Sequence, residues 1–91
     1  MNKTDLIRHI AKDVGITNIA AREAINSLIN SIRETLKSEE GEVTLSGFGT
    51  FKTVHRKDRI ARNPMTGEPI RIPARNVVKF KPGKTLKETV L

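Results

Sequence analysis

Residues 52–81 read KTVHRKDRIARNPMTGEPIRIPARNVVKFK, and this stretch decides the fold. Its centre, Arg62-Asn63-Pro64-Met65-Thr66-Gly67-Glu68-Pro69, is dense in turn formers and predicts a hairpin tip. Beyond the tip, Ile70, Ile72, Ala74, Val78 and Phe80 share one parity, as a strand requires. Pro69 and Pro73 suit strands that need not donate every ladder bond. From Lys52 to Ile60 the alternation continues, but both faces are largely polar. The middles of the two strands, at 54–60 and 70–76, carry too few apolar residues to pack within the chain. A two-stranded ribbon alone is marginal in water. Such a ribbon persists when its base is clamped in a sheet and its tip meets a partner, so the stretch reads as an arm.

The charge points the same way. Of 17 Lys and Arg against 10 Asp and Glu in the 91 residues, nine basic residues lie within 52–81, where the acids are Asp58 and Glu68. Residues 1–51 sum to −1 and residues 82–91 to +1, so the whole excess of +7 sits on the arm. A charge run is usually a solvated face, but a block this poor in acids beside a balanced remainder favours a polyanion partner.

Downstream, Pro82-Gly83 breaks the strand and Lys84 to Leu91 can form a short helix with Leu86 and Val90 buried. Upstream, Val43 and Leu45 alternate with polar residues, Ser46-Gly47 turns the chain, and Phe48-Gly49-Thr50-Phe51 opens the next strand. Two helices precede these. Asn2 caps the first, with Asp5 at its third position, and Leu6, Ile7, Ile10, Ala11 and Val14 fall on one face until Gly15 ends it. Thr17 starts the second, whose stripe is Ala20, Ala21, Ala24, Ile25, Leu28, Ile32 and Leu36, with Gly41 as its stop. The order is α-α-β-β-β-α: an α+β fold with a three-stranded antiparallel sheet, a long β-ribbon arm and a short C-terminal helix. One domain, 1–91, is expected, in which 1–51 forms a helical dimerisation body with the start of the sheet. Its other parts are the basic arm and its base at 52–81 and the C-terminal helix at 82–91. Leu28, Ile32 and Leu36, with Leu45, Phe48, Phe51 and Phe80, are more apolar surface than one small chain with a bare arm can bury, so an obligate dimer is expected.

Most chemistry is excluded. With no Cys there is no disulfide, thiol catalysis or Cys-based zinc site. His9 and His55 have no Ser, Asp or Glu at a spacing that builds a triad or a metal site. Pro82-Gly83-Lys84-Thr85 looks like the end of a phosphate-binding loop, but Val78 stands where that motif needs its first Gly. Gly47-Phe48-Gly49-Thr50-Phe51 partly matches an RNA-recognition strand, yet Ser46 and Thr50 break the pattern and two helices come first. Ala11 and Gly15 between two helices suggest a helix-turn-helix, but the second helix is long, apolar along its length and in the acidic half. No enzyme, cofactor or metal is expected. The acidic residue at position 5 and the lack of a long apolar run predict no signal peptide and no membrane span, hence a cytoplasmic protein.

Three segments together carry a resemblance over essentially the full length: Gly47-Phe48-Gly49-Thr50-Phe51, Arg59-x-x-Arg62-Asn63-Pro64-x-Thr66-Gly67 and Phe80-Lys81-Pro82-Gly83-Lys84-x-Leu86-Lys87. At this spacing, after two helices, the chain resembles the bacterial HU and integration host factor family of histone-like DNA-bending proteins, and HU more closely. Ala61 departs from the Gly common in that family at this position. The resemblance implies an intertwined dimer, whether a homodimer or a heterodimer with a paralogue, whose arms embrace double-stranded DNA in the minor groove. It also implies a nucleoid location and a preference for bent, nicked or distorted DNA. Carried over, Pro64 is an intercalating wedge flanked by Arg62 and Asn63. Arg56, Lys57, Arg59, Arg71 and Arg75 line the arm, and Lys81, Lys84 and Lys87, with Lys3, hold phosphates. The nearest rival is a site-specific bender of the integration host factor kind. A helix-turn-helix regulator and a polybasic surface-binding protein are more distant.

Overall fold

A computed structural model describes residues 1–91, which form two units, Met1–Glu34 and Thr35–Leu91. In the first unit, α1 (Lys3–Val14) starts with a capping box: the Asp5 N–H donates to Asn2 Oδ1 at 2.9 Å, and the Asn2 N–H to the Asp5 carboxylate at 3.3 Å. Gly15 ends α1 at φ +78°, and its N–H returns to the Ala11 carbonyl. Thr17 caps α2 (Asn18–Leu36), its hydroxyl accepting from the Ala20 N–H at 3.0 Å. Ile7, Ala11 and Ala21 are buried between the helices, with Ile10 and Ile25 packed against them. Leu6 and Val14 of the expected α1 face remain exposed.

The second unit contains β1 (Glu42–Leu45), β2 (Gly49–Arg56), β3 (Arg59–Arg62), β4 (Pro69–Ile72), β5 (Arg75–Pro82) and α3 (Lys84–Thr89). One antiparallel sheet has the order β1-β2-β5, and β3 and β4 form a second, two-stranded one. The turn between β1 and β2 closes with a Phe48 N–H to Leu45 carbonyl bond, and Gly47 takes φ +81°.

The long strands expected on either side of the tip are each interrupted, at Lys57-Asp58 and at Pro73-Ala74. Pro73 has no N–H to donate, so the ladder cannot continue through it. The register nonetheless survives the gap. Arg56 pairs with Arg75, and three residues further along each strand Arg59 pairs with Ile72. The ribbon is therefore one hairpin with a hinge-like gap in its bonding.

Two other expectations need correction. The second helix ends at Leu36 rather than running to Gly41. Gly41 instead brings the chain back against the last helical turn, where a side chain would collide with the Thr35 carbonyl and the Leu36 backbone. That return is fixed by Thr53, whose hydroxyl donates to the Leu36 carbonyl at 2.6 Å and whose N–H donates to the Gly41 carbonyl. Neither apolar residue expected to be buried at the C-terminus is so: Leu86 is half-buried and Val90 is exposed, because α3 is only six residues long and Val90 is its cap.

Phe51 and Phe80 are register partners on one sheet face, their ring centroids 4.8 Å apart, and Phe48 lies 5.7 Å from Phe80. The Phe80 ring lies so close over Gly49 that a Cβ there would sit 2.6 Å from it. Even so, Phe48 is 46% exposed, Phe80 41% and Leu28 of α2 49%. Ile7, Ala11 and Ala21 are the only buried hydrophobic side chains in the chain, a small core for 91 residues.

Candidate nucleic-acid interface

The sheet has two unlike faces. Residues directly opposite in an antiparallel ladder point to the same side. Val43, Leu45, Phe51 and Phe80 therefore share one face, by the pairings Val43↔Phe51 and Phe51↔Phe80. The other face carries Lys52↔Lys79, Arg56↔Arg75 and Thr50↔Lys81, with Val54↔Val77 between the charged pairs. On β1 it adds Thr44, whose hydroxyl is 3.2 Å from that of Thr50, and one acid, Glu42, opposite Lys52. Five cations thus stand on one face of two adjacent strands against a single carboxylate.

The unbroken register extends this order into the ribbon. Arg62↔Pro69 and Ile60↔Arg71 continue the parity of the cationic face, while Arg59↔Ile72 and Ala61↔Ile70 continue the other. Asp58 in the gap makes an exposed ion pair with Arg71 at 3.2 Å. Exposed pairs of this kind are weak, so Arg71 remains available to another anion. Lys57, also in the gap, is exposed. On the opposite parity His55 Nδ1 lies 2.8 Å from Asn76 Oδ1 and 3.9 Å from the Glu39 carboxylate.

The tip is a bonded structure rather than a loose loop. The Asn63 N–H donates to the Glu68 carbonyl at 2.9 Å, and the Gly67 N–H to the Asn63 carbonyl at 2.7 Å. The Met65 N–H donates to Asn63 Oδ1 at 2.9 Å, which closes an Asx turn around Pro64. Gly67 sits at φ +72°, and the Arg62 guanidinium donates to its carbonyl at 2.9 Å. Arg62 therefore braces the tip as well as charging it. Pro64 is left exposed at the apex of this frame.

Of the expected phosphate contacts, Lys81 joins the cationic face of the sheet, while Lys84 and Lys87 lie exposed on α3. Lys84 is 4.0 Å from the Glu88 carboxylate. Lys3 is exposed on α1 in the other unit. Sequence reasoning passed over Lys52 and Lys79, which form a register pair on the same face as Arg56 and Arg75. Their parity was the available signal: 52 and 56 on one strand, 75, 79 and 81 on the other. No group of three or more His, Cys, Asp or Glu is placed to hold a metal, and no helix is long and apolar enough to cross a membrane.

The whole chain, residues 1–91, matches the family model described as bacterial DNA-binding protein. It is 50% identical over 90 residues to DNA-binding protein HU of Xylella fastidiosa, covering 99% of this chain and 95% of that protein. DNA-binding protein HU-alpha of Escherichia coli is 48% identical, with 99% of both chains covered. Among solved structures, an Anabaena HU–DNA cocrystal matches with a TM-score of 0.85 at 37% identity, over 99% of this chain and 97% of that one. A point mutant of HU from Thermotoga maritima matches over all of both chains with a TM-score of 0.74 at 32% identity.

Proposed function

Because the chain belongs to the family of bacterial DNA-binding proteins to which HU belongs, we propose that it is an architectural protein of the nucleoid that binds and bends double-stranded DNA as a dimer. The observation that carries this reading is the cationic sheet face and its continuation, in unbroken register, into a ribbon with Pro64 at its apex. Cations on a flat, regular array neutralise phosphates wherever the backbone passes, so affinity is electrostatic and largely independent of sequence. Arg62 and Arg71 extend that contact along the ribbon, which enters a minor groove that opens as the duplex bends.

Pro64 supplies the kink. It has no backbone donor, so entering a base step strands no hydrogen-bonding group, and the bonded tip holds its ring rigidly. Unstacking costs a few kcal/mol per step and is offset by contacts that only bent DNA makes. DNA that is already nicked or distorted needs less unstacking and is bound more tightly. The role is structural and involves no catalytic step or cofactor. Dimerisation follows from the exposed Leu28, Phe48 and Phe80, which a second copy would cover.

The test is a binding series on linear, nicked and unrelated-sequence duplexes at fixed salt. Similar affinity for unrelated linear duplexes with a clear preference for the nicked one is expected. Affinity confined to one sequence would replace this reading with that of a site-specific bender.

A further inference from the structure

Met65 is a fully exposed apolar side chain on the ribbon tip. It is 93% exposed and adjoins Pro64. Its backbone position is fixed, because its N–H is held by Asn63 Oδ1 and the flanking Asn63–Glu68 and Asn63–Gly67 bonds close the turn. The tip thus offers two adjacent apolar side chains, one rigid and one polarizable, in a segment otherwise rich in Arg. The chain has no Cys, and its two thioethers, Met65 at 93% and Met1 at 88% exposure, are both open to a hydroperoxide oxidant, but only Met65 lies on the tip.

We propose that Met65 is a redox-modifiable part of the wedge: its oxidation to the sulfoxide by a hydroperoxide weakens DNA bending without unfolding the protein. This inference rests on the proposed role of the tip. In the step itself a sulfur lone pair attacks one peroxide oxygen and the O–O bond breaks. The sulfur loses two electrons and keeps that oxygen, while the other oxygen leaves and takes up the proton, as water from hydrogen peroxide or as the alcohol from an alkyl hydroperoxide. The product is polar and strongly hydrated, so carrying it between or against stacked bases costs desolvation that the thioether does not incur. With its side chain in solvent, Met65 contributes nothing to the core, and the free protein keeps its fold.

The protein is treated with hydrogen peroxide until mass spectrometry of its peptides shows Met65 converted, and bending of a nicked duplex is read by end-to-end FRET. The same is done with Met65→Leu, which retains the equally exposed Met1 as an internal control, and with untreated Met65→Gln, whose polarity imitates the sulfoxide. The oxidised parent and Met65→Gln are expected to lose about fivefold to tenfold in affinity for the nicked duplex, together with part of the bend. Met65→Leu should bind alike before and after treatment, and methionine sulfoxide reductases should restore the parent. Unchanged bending by the oxidised parent, with bending lost in Pro64→Ala, would overturn this inference alone. If Pro64→Ala also bends normally, the wedge reading fails and this inference with it. A lowered unfolding midpoint after oxidation would likewise overturn it, since the effect would then lie in the fold.

Discussion

Arg56 lies directly opposite Arg75 in the β2–β5 ladder, on the same face as the opposed pair Lys52 and Lys79. Like charges in this position oppose strand pairing by about 0.2–1 kcal/mol each. A sheet optimised for its own stability would alternate the signs. Under the proposed function the cost is offset when DNA lies along the face, which would make the arrangement a property of the complex more than of the free chain.

That relationship separates stability from binding. Arg75→Thr, which keeps a strand-forming residue, should raise the unfolding free energy by up to about 0.5 kcal/mol, measured in urea. The same change should make the plot of log K against log salt shallower, by about 1 for each phosphate no longer neutralised and so by about 2 per dimer. The parent slope should be about −5 to −9 if a dimer engages roughly 6–10 phosphates. A gain in stability with an unaltered slope would show that Arg75 does not meet the backbone.

The exposed Leu28, Phe48 and Phe80 make assembly testable without DNA. If a second copy covers them, the thermal midpoint should rise with protein concentration, because unfolding is then coupled to dissociation. Leu28→Lys should abolish the folded dimer. A stable folded monomer in sedimentation at micromolar concentration would refute the assembly.

Thr53 is 4% exposed, and its hydroxyl holds a carbonyl at the end of α2 that has no helical partner. Thr53→Val preserves the shape and removes the donor. It should cost about 1–3 kcal/mol in urea unfolding, with little change in the salt dependence of DNA binding. A cost below a few tenths of a kcal/mol would mean that water replaces the bond.

Local signals in the sequence carried much of this architecture. Asn2 with Asp5, Gly15 and the turn formers from Arg62 to Pro69 each act through bonds within a few residues, so their chemistry can be read in order along the chain. What was hidden depends on pairing. Gly41 looks like a helix stop until the returning chain shows that its lack of a side chain serves a close approach to Thr35 and Leu36. Pro73 is a permitted edge residue in sequence, and only the register shows that it opens a gap opposite Asp58 without shifting the pairing beyond it. Lys52 and Lys79 become a pair only once the two strands are aligned. Arg62 was legible as a charge, but its bond to the Gly67 carbonyl required the folded tip. The exposure of Val90 and the half-burial of Leu86 reflect a final helix of six residues, with Val90 as its cap.

Bending, as distinct from binding, is the function proposed for the ribbon tip. Pro64→Ala keeps every charge on the ribbon and removes only the rigid ring at the apex. End-to-end FRET on a short linear duplex, compared between the parent and Pro64→Ala under conditions that saturate both, tests the proposal most directly. The variant is expected to bind still, through its cationic face, but to leave the duplex ends markedly farther apart than the parent does. A variant that binds and brings the ends as close as the parent would contradict the wedge, and Pro64 would then be a turn residue alone.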